Sequence, residues 1–214
     1  RNFQNLTSWY GSSEHDALPT DDLFYALAPQ PGLEQQISSA ILAPDAMADT
    51  ASHTLNELRK KIRATENSIR DRLESMVRNM DTSKYLQESV VSMRNGRYVV
   101  PVKSECKNDL PGLVHDVSAS GSTFFIEPMQ AVNANNELRE LFVAERKEIE
   151  RILAELSADC ANYRTHIEEN YRVLVTLDCI FARAKLSFAM NAIEPQIRTD
   201  GALELKRARH PLID

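Results

Sequence analysis

The sequence predicts a mainly α-helical protein with one small β subdomain: two long antiparallel helices carrying a four-stranded antiparallel β head, on a helical base. Three observations predict it. On both sides of residues 89–128, apolar residues recur at steps of three, four and seven, as one face of an α-helix requires. Residues 89–128 alone alternate in β-branched and aromatic side chains. Within them Asn95-Gly96 separates two alternating segments, the strongest short-range hairpin signal.

Residues 1–48 read as an N-terminal helical part of the core. Trp9, Tyr10 and Gly11 mixed with Pro19, Pro29 and Pro31 break any long periodicity, so one or two short helices are expected. Residues 33–42 form another, stopped by Ala43-Pro44-Asp45. Residues 49–88 form the first long helix, with Asp49, Thr50 and Ser52 as candidate caps, since their side-chain oxygens accept the orphan N–H bonds of a first turn. Its apolar stripe is Leu55, Leu58, Ile62, Ile69, Leu73, Met76 and Met80. Glu57 with Lys61, Glu66 with Arg70 and Arg70 with Glu74 are pairs four apart on a solvated face.

In the head, residues 89–128, strands are predicted at 90–94, 97–103, 113–117 and 123–126. Pro101 has no ladder donor and belongs at an edge or a non-bonded position. Residues 129–192 form the second long helix, with Leu138, Phe142, Ile149, Ile152, Leu156, Tyr163, Ile167, Tyr171, Leu174, Leu177, Phe181 and Phe188 on its seam. Unbroken from 131 to 190 it would be about 90 Å long. Residues 173–190 are apolar nearly all round and are expected to be buried in the base. Residues 193–214 read as a linker: Glu194-Pro195 breaks the helix, 202–206 is a candidate strand, and His210-Pro211 begins an extended exit.

A chain that is 43% hydrophobic and 26% charged is an ordinary folded protein. No apolar run suits a bilayer and no basic-then-apolar leader is present, so no membrane is expected and the default compartment is the cytoplasm. Cys106, Cys160 and Cys179 lack metal or disulfide-framework spacing and read as bystander thiols. The net charge of -6 means that any phosphate contact must be a local patch. The chain starts at Arg1 without a methionine and stops just after Arg-His-Pro-Leu-Ile-Asp, which reads as a piece of something longer.

Candidate chemistry is sparse. His115 and Asp116 with Ser118, Ser120 and Ser122 suggest nucleophilic hydrolysis, but adjacent strand residues point to opposite faces and no Gly-x-Ser-x-Gly turn presents a nucleophile. His15, His53, His115, His166 and His210 are scattered without ligand spacing, so no metal is expected. No Gly-x-x-x-x-Gly-Lys-Ser/Thr loop is present to cradle a triphosphate. The basic residues Arg94, Arg97, Lys103 and Lys107, with Tyr98, have two readings. They bring positive charge to a phosphate backbone, or they are a solvated hairpin whose arginines guard its edges.

Asn95-Gly-Arg-Tyr-Val-Val-Pro-Val-Lys103, Gly112-Leu-Val-His-Asp-Val-Ser-Ala-Ser-Gly-Ser-Thr-Phe-Phe-Ile-Glu-Pro128, Asn135-Asn-Glu-Leu-Arg-Glu-Leu141 and Ala208-Arg-His-Pro-Leu212 resemble the core of the bacterial MutS-two proteins, paralogues of the MutS mismatch-repair ATPases. The resemblance covers residues from about 33 onward. It implies the lever and clamp portion of a homodimeric ATPase, upstream of the nucleotide-binding domain. No cofactor is expected in this chain; ATP and Mg belong to the full-length family, as does an Smr domain associated with nuclease activity. The implied partners are DNA, in recombination suppression, or rRNA on collided ribosomes. Phe125-Ile-Glu127 has the Phe-x-Glu form of the MutS mismatch wedge, but that wedge belongs to an N-terminal domain absent from MutS-two proteins, so a packing role is expected.

The expected function is a non-catalytic lever and clamp module whose head engages nucleic acid. The alternative is a coiled-coil dimerisation or protein-docking module without such contact.

Overall fold

The computed structural model describes residues 2–12, 14, 16–206, 208 and 210. His15 and most of the Ala208–Leu212 motif lie outside the described residues. The protein is mainly α with a small β subdomain and divides into two compact units, Gln35–Asp159 and the pair of segments Arg1–Glu34 and Cys160–Asp214.

The larger unit is built on two helices. Ser52 is extended (φ -150°, ψ 157°), and its Oγ accepts the N–H of Leu55 at 2.9 Å, which starts α4 at His53–Arg78. Of the three candidate caps, Ser52 serves. Asp49 lies in the preceding 3-10 turn, Asp49–Ala51, and instead takes Arg59 at 2.6 Å and Arg63 at 3.1 Å.

Leu55, Ile62, Ile69, Leu73 and Val77 are the buried stripe of α4. Each such side chain contributes about 1.5–3 kcal/mol of transfer free energy. Met80, expected on this stripe, is exposed instead. The helix stops at Arg78, and Asn79 leaves helical geometry (φ -70°, ψ 128°) to cap a separate turn, α5 at Met80–Ser83, so the phase is reset before Met80.

The second helix, α6 at Met129–Asn162, runs antiparallel to α4. Ala131 and Leu138 share a core with Ile69, Leu73 and Val77, while Glu145 reaches Arg59 at 2.7 Å and Glu148 reaches Ser52 at 2.7 Å. Its buried seam is Ala131, Asn135, Leu138, Glu148 and Ile152, so two polar residues occupy core positions and Phe142 is left exposed.

Glu148 is held at about 2, below an ordinary glutamate, first by the Arg151 guanidinium and then by the Ser52 hydroxyl. A depressed carboxyl contributes stability that is complete above its unfolded value and lost as pH falls through the folded one. The expected result is a decline in the urea midpoint between pH 4.5 and about 2 that is shallower in Glu148→Gln. Parallel declines in both proteins would remove Glu148 as a contributor.

The head is a four-stranded antiparallel sheet in the order β3-β4-β6-β5, from β3 (Ser92–Arg94), β4 (Arg97–Lys103), β5 (Gly112–Val117) and β6 (Thr123–Pro128). Asn95 (φ 52°) and Gly96 (φ 73°) are both left-handed, as a two-residue hairpin turn demands. Pro101 is tolerated inside β4 because its carbonyl accepts Gln87 N–H at 2.9 Å. Its nitrogen therefore faces residues 85–87 and not the ladder to β6. Gly112 has no room for a side chain: a Cβ there would lie 2.4 Å from the carbonyl oxygen of Glu127. A minor ribbon of β1 (Ile41–Ala43) and β2 (Ala46–Met47) follows α3 (Pro31–Ala40).

In the other unit, α1 (Asn2–Gly11) and α2 (Asp21–Tyr25) meet α7 (Arg164–Ala189). Tyr10 stacks on Phe24 with ring centroids 4.0 Å apart, beside Leu27 and Leu177. Asn170 clasps Ala28, accepting its N–H at 2.8 Å and donating to its carbonyl at 2.9 Å.

Three expectations change here. The second helical run is interrupted at Tyr163 (φ -100°, ψ 12°), between α6 and α7. The apolar residues 173–190 are also not enclosed: Val175, Phe181, Leu186 and Phe188 are exposed, because α1 and α2 are short and cover a single stripe. The helix ends at a left-handed Asn191, before Pro195, and residues 202–206 form no strand.

Candidate nucleic-acid interface

The five candidate contact residues fall at opposite ends of the sheet. β4 advances about 3.3 Å per residue, so Arg97 and Lys103 are about 20 Å apart.

At the hairpin end, Arg97 is committed inward. Its Nη1 donates to both oxygens of Glu127, at 2.7 and 3.0 Å, and its Nη2 donates to Asn136 at 2.6 Å. Glu127 is wholly buried and also receives Asn135 Nδ2 at 2.8 Å and pairs with His115 Nε2. A buried carboxylate of this kind persists only when paired and hydrogen-bonded.

Asn135 has a second task. The last β4–β6 pair toward the hairpin is Val100↔Ile126, so Tyr98 has no strand partner on that side. The Asn135 amide substitutes for one, accepting Tyr98 N–H and donating to Tyr98 carbonyl, each at 3.1 Å. The Tyr98 ring is buried in the core and offers no stacking platform. Arg94 lies 3.3 Å from Asp116 and 4.0 Å above the Phe125 ring, so its charge is locally matched.

A register irregularity between Val114 and Asp116 breaks the strict alternation of β5. His115 is thereby turned to Glu127 and Asp116 to Arg94. The serine hydroxyls bond one another, Ser118 to Ser120 at 3.3 Å and Ser120 to Ser122 at 2.7 Å, while Ser118 accepts Thr123 N–H. The imidazole is hydrogen-bonded to a carboxylate and to none of these hydroxyls, so a nucleophile–base pair is not assembled. Phe125-Ile-Glu127 is likewise absorbed into packing and the buried ion pair.

At the other end the basic residues engage no carboxylate directly, although Glu105 lies in the turn that follows Lys103. Lys103 donates to the Lys84 carbonyl at 3.2 Å; Lys84 and Lys107 lie 5.0 Å over the Tyr85 and Phe124 rings. None of the three forms an ion pair among the described residues. Ser104 N–H donates to Ser122 at 3.1 Å, which brings the serine turn to the same end. Lys84 was invisible as a site residue because it precedes the head in sequence; its proximity depends on the Leu86↔Val102 bridge.

No family model matches the chain. It is 47% identical over 201 residues to a protein named Endonuclease MutS2 from Ruminiclostridium cellulolyticum, an alignment that takes in 94% of this chain and 25% of that protein. The namesake from Clostridium beijerinckii is 48% identical over 91% of this chain and 24% of its own, and that from Acetivibrio thermocellus 40% over 100% and 27%. The chain belongs to the MutS2 family. It spans about a quarter of the length of these MutS2 relatives.

The residues that carry the MutS2 resemblance acquire a physical meaning. Arg97, Tyr98, His115, Glu127, Asn135 and Asn136 all belong to one hydrogen-bonded network, centred on the buried Glu127 and Asn135, that joins three strands to α6. Among the described residues no cluster of His, Cys, Asp and Glu is arranged to hold a metal, and no helix is long and apolar enough to cross a membrane.

Proposed function

We propose that this chain is the non-catalytic lever and clamp part of a cytoplasmic, homodimeric MutS2 ATPase, and that its β head touches the phosphate backbone of DNA or rRNA. The observation that carries the proposal is the end of the sheet where Lys84, Lys103 and Lys107 lack carboxylate partners beside a turn of serine hydroxyls. Lysines and hydroxyls of this kind bind phosphates without reading bases. ATP and Mg would be held elsewhere in the full protein, since the sequence has no Gly-x-x-x-x-Gly-Lys-Ser/Thr loop. Motion of α4 and α6 would transmit that ATP cycle to the head. Branched or recombining DNA and rRNA of a collided ribosome offer the same phosphodiester chemistry.

The test is salt-titrated binding of full-length protein to a DNA junction and to structured rRNA. The Lys84, Lys103 and Lys107 to glutamine variant is expected to bind both more weakly. Each lost duplex contact should flatten the log affinity against log salt slope by about 0.9. An unchanged slope would overturn the proposal and favour protein docking or dimerisation, a reading supported by the exposed apolar residues of α7.

A further inference from the structure

A groove of about 550 Å³ opens between α4 and the segment that leads into β3. One wall is Arg70, Glu74, Val77 and Arg78, which share a helix face, and the other is residues 89–93. Val77 and Tyr98 are buried at its floor. β3 is an outer strand, bonded to β4 alone.

On the outer side of β3 the Met93 carbonyl accepts Arg94 Nη1 at 2.9 Å, an exposed contact that an added strand would displace. Arg94↔Arg97 closes a two-residue turn and is therefore a hydrogen-bonded pair, which makes Met93↔Tyr98 a non-bonded pair. Tyr98 accordingly bonds away from β3, to Asn135, and the N–H of Met93 points away from β4. Val90 and Met93 are exposed apolar side chains along the same segment.

We propose that this groove receives an extended peptide segment of a partner protein, added along β3, with acidic, basic and acidic residues at alternate positions facing α4. The spacing dictates the pattern. Four residues of helix advance about 6 Å and two residues of strand about 6.6 Å, so Arg70, Glu74 and Arg78 keep step with alternate side chains of a strand. Arg70 has no ion pair among the described residues. Glu74 and Arg78 are paired only with each other, at 3.1 Å and largely exposed, so exchanging that pair for the peptide's charges costs little. The carboxylate at the centre and the apolar floor oppose a phosphate backbone, which sets this site apart from the lysine end. Edge-strand pairing supplies affinity and the alternate charges supply specificity.

The experiment uses full-length protein and fluorescein-labelled heptapeptides of valine and threonine carrying Asp, Lys, Asp at alternate positions, or the inverse Lys, Asp, Lys. Anisotropy is expected to saturate with the first peptide at micromolar concentration and to weaken at least about tenfold with the inverse one. Arg70→Glu/Glu74→Lys/Arg78→Glu is expected to exchange these preferences. N-methylation of the peptide amides facing β3 is expected to cost about tenfold or more. All three substituted side chains lie on the solvated flank of α4, and circular dichroism with the urea midpoint verifies the fold. Equal binding of both peptides, no saturation, or indifference to N-methylation overturns the proposal. So does displacement by single-stranded oligonucleotide that is lost in the same charge-reversed variant, which would assign the groove to nucleic acid.

Discussion

Glu127→Ala is expected to lower the free energy of unfolding by about 3–5 kcal/mol, the range for removing one partner from a buried ion pair. The carboxylate is wholly buried and satisfies Arg97, Asn135 and His115 together. Its loss leaves the Asn135 N–H without that acceptor and a mostly enclosed guanidinium with Asn136 alone. Glu127→Gln keeps the volume and one acceptor and should cost less. Replacing Arg97 and Glu127 together by leucine should recover part of the loss, because an apolar pair carries no desolvation penalty. Urea denaturation decides it: a loss below about 1 kcal/mol in Glu127→Ala would mean that the partners find water or one another, which a buried, mutually dependent network excludes.

Asn135→Ala is expected to cost about 2–6 kcal/mol, since each buried polar group left unpaired costs about 1–3 kcal/mol and the N–H and carbonyl of Tyr98 both lose their partner. Asn135→Asp is the sharper variant. It preserves shape and still accepts Tyr98 N–H, yet it sets a carboxylate against Glu127, so it should be less stable than alanine at neutral pH and improve in Glu127→Gln. Because both residues share one network, Glu127→Ala/Asn135→Ala should cost less than the sum of its parts. Additive losses, or Asp tolerated as well as Asn, would contradict a shared network.

Local chemistry was legible wherever the cause lies within a few residues. The Asn95-Gly96 turn follows from two residues that tolerate left-handed backbone, and the start of α4 follows from Ser52 reaching Leu55. The seam of α6 was not legible, because periodicity counts apolar residues, while Asn135 is satisfied by a partner distant in sequence, Tyr98, and Glu148 by the local Arg151 together with the distant Ser52. An asparagine four residues after Ala131 and three before Leu138 is the signal that marks such a position. Asn170, three residues after Ile167 and four before Leu174, interrupts an apolar seam likewise and clasps Ala28.

Sequence alone turns Arg97 and Tyr98 outward in either reading, since a count of basic residues does not register a counter-ion thirty residues later. The surface of α7 failed for the opposite reason: its composition predicts a core, and the helices of ten and five residues that accompany it cover one stripe.

The strand order has a mechanical consequence. β6 is interior to the sheet, hydrogen-bonded to β4 on one side and β5 on the other, and its last residue, Pro128, is followed directly by α6 at Met129. A pull along α6 therefore loads the middle of the sheet, and extracting that strand must break two ladders together, whereas an edge strand would unzip one bond at a time. Asn135 fastens β4 to the same helix. The head should consequently follow α6 as a unit and yield late under force, after the separately capped turn at Met80–Ser83 through which α4 reaches it.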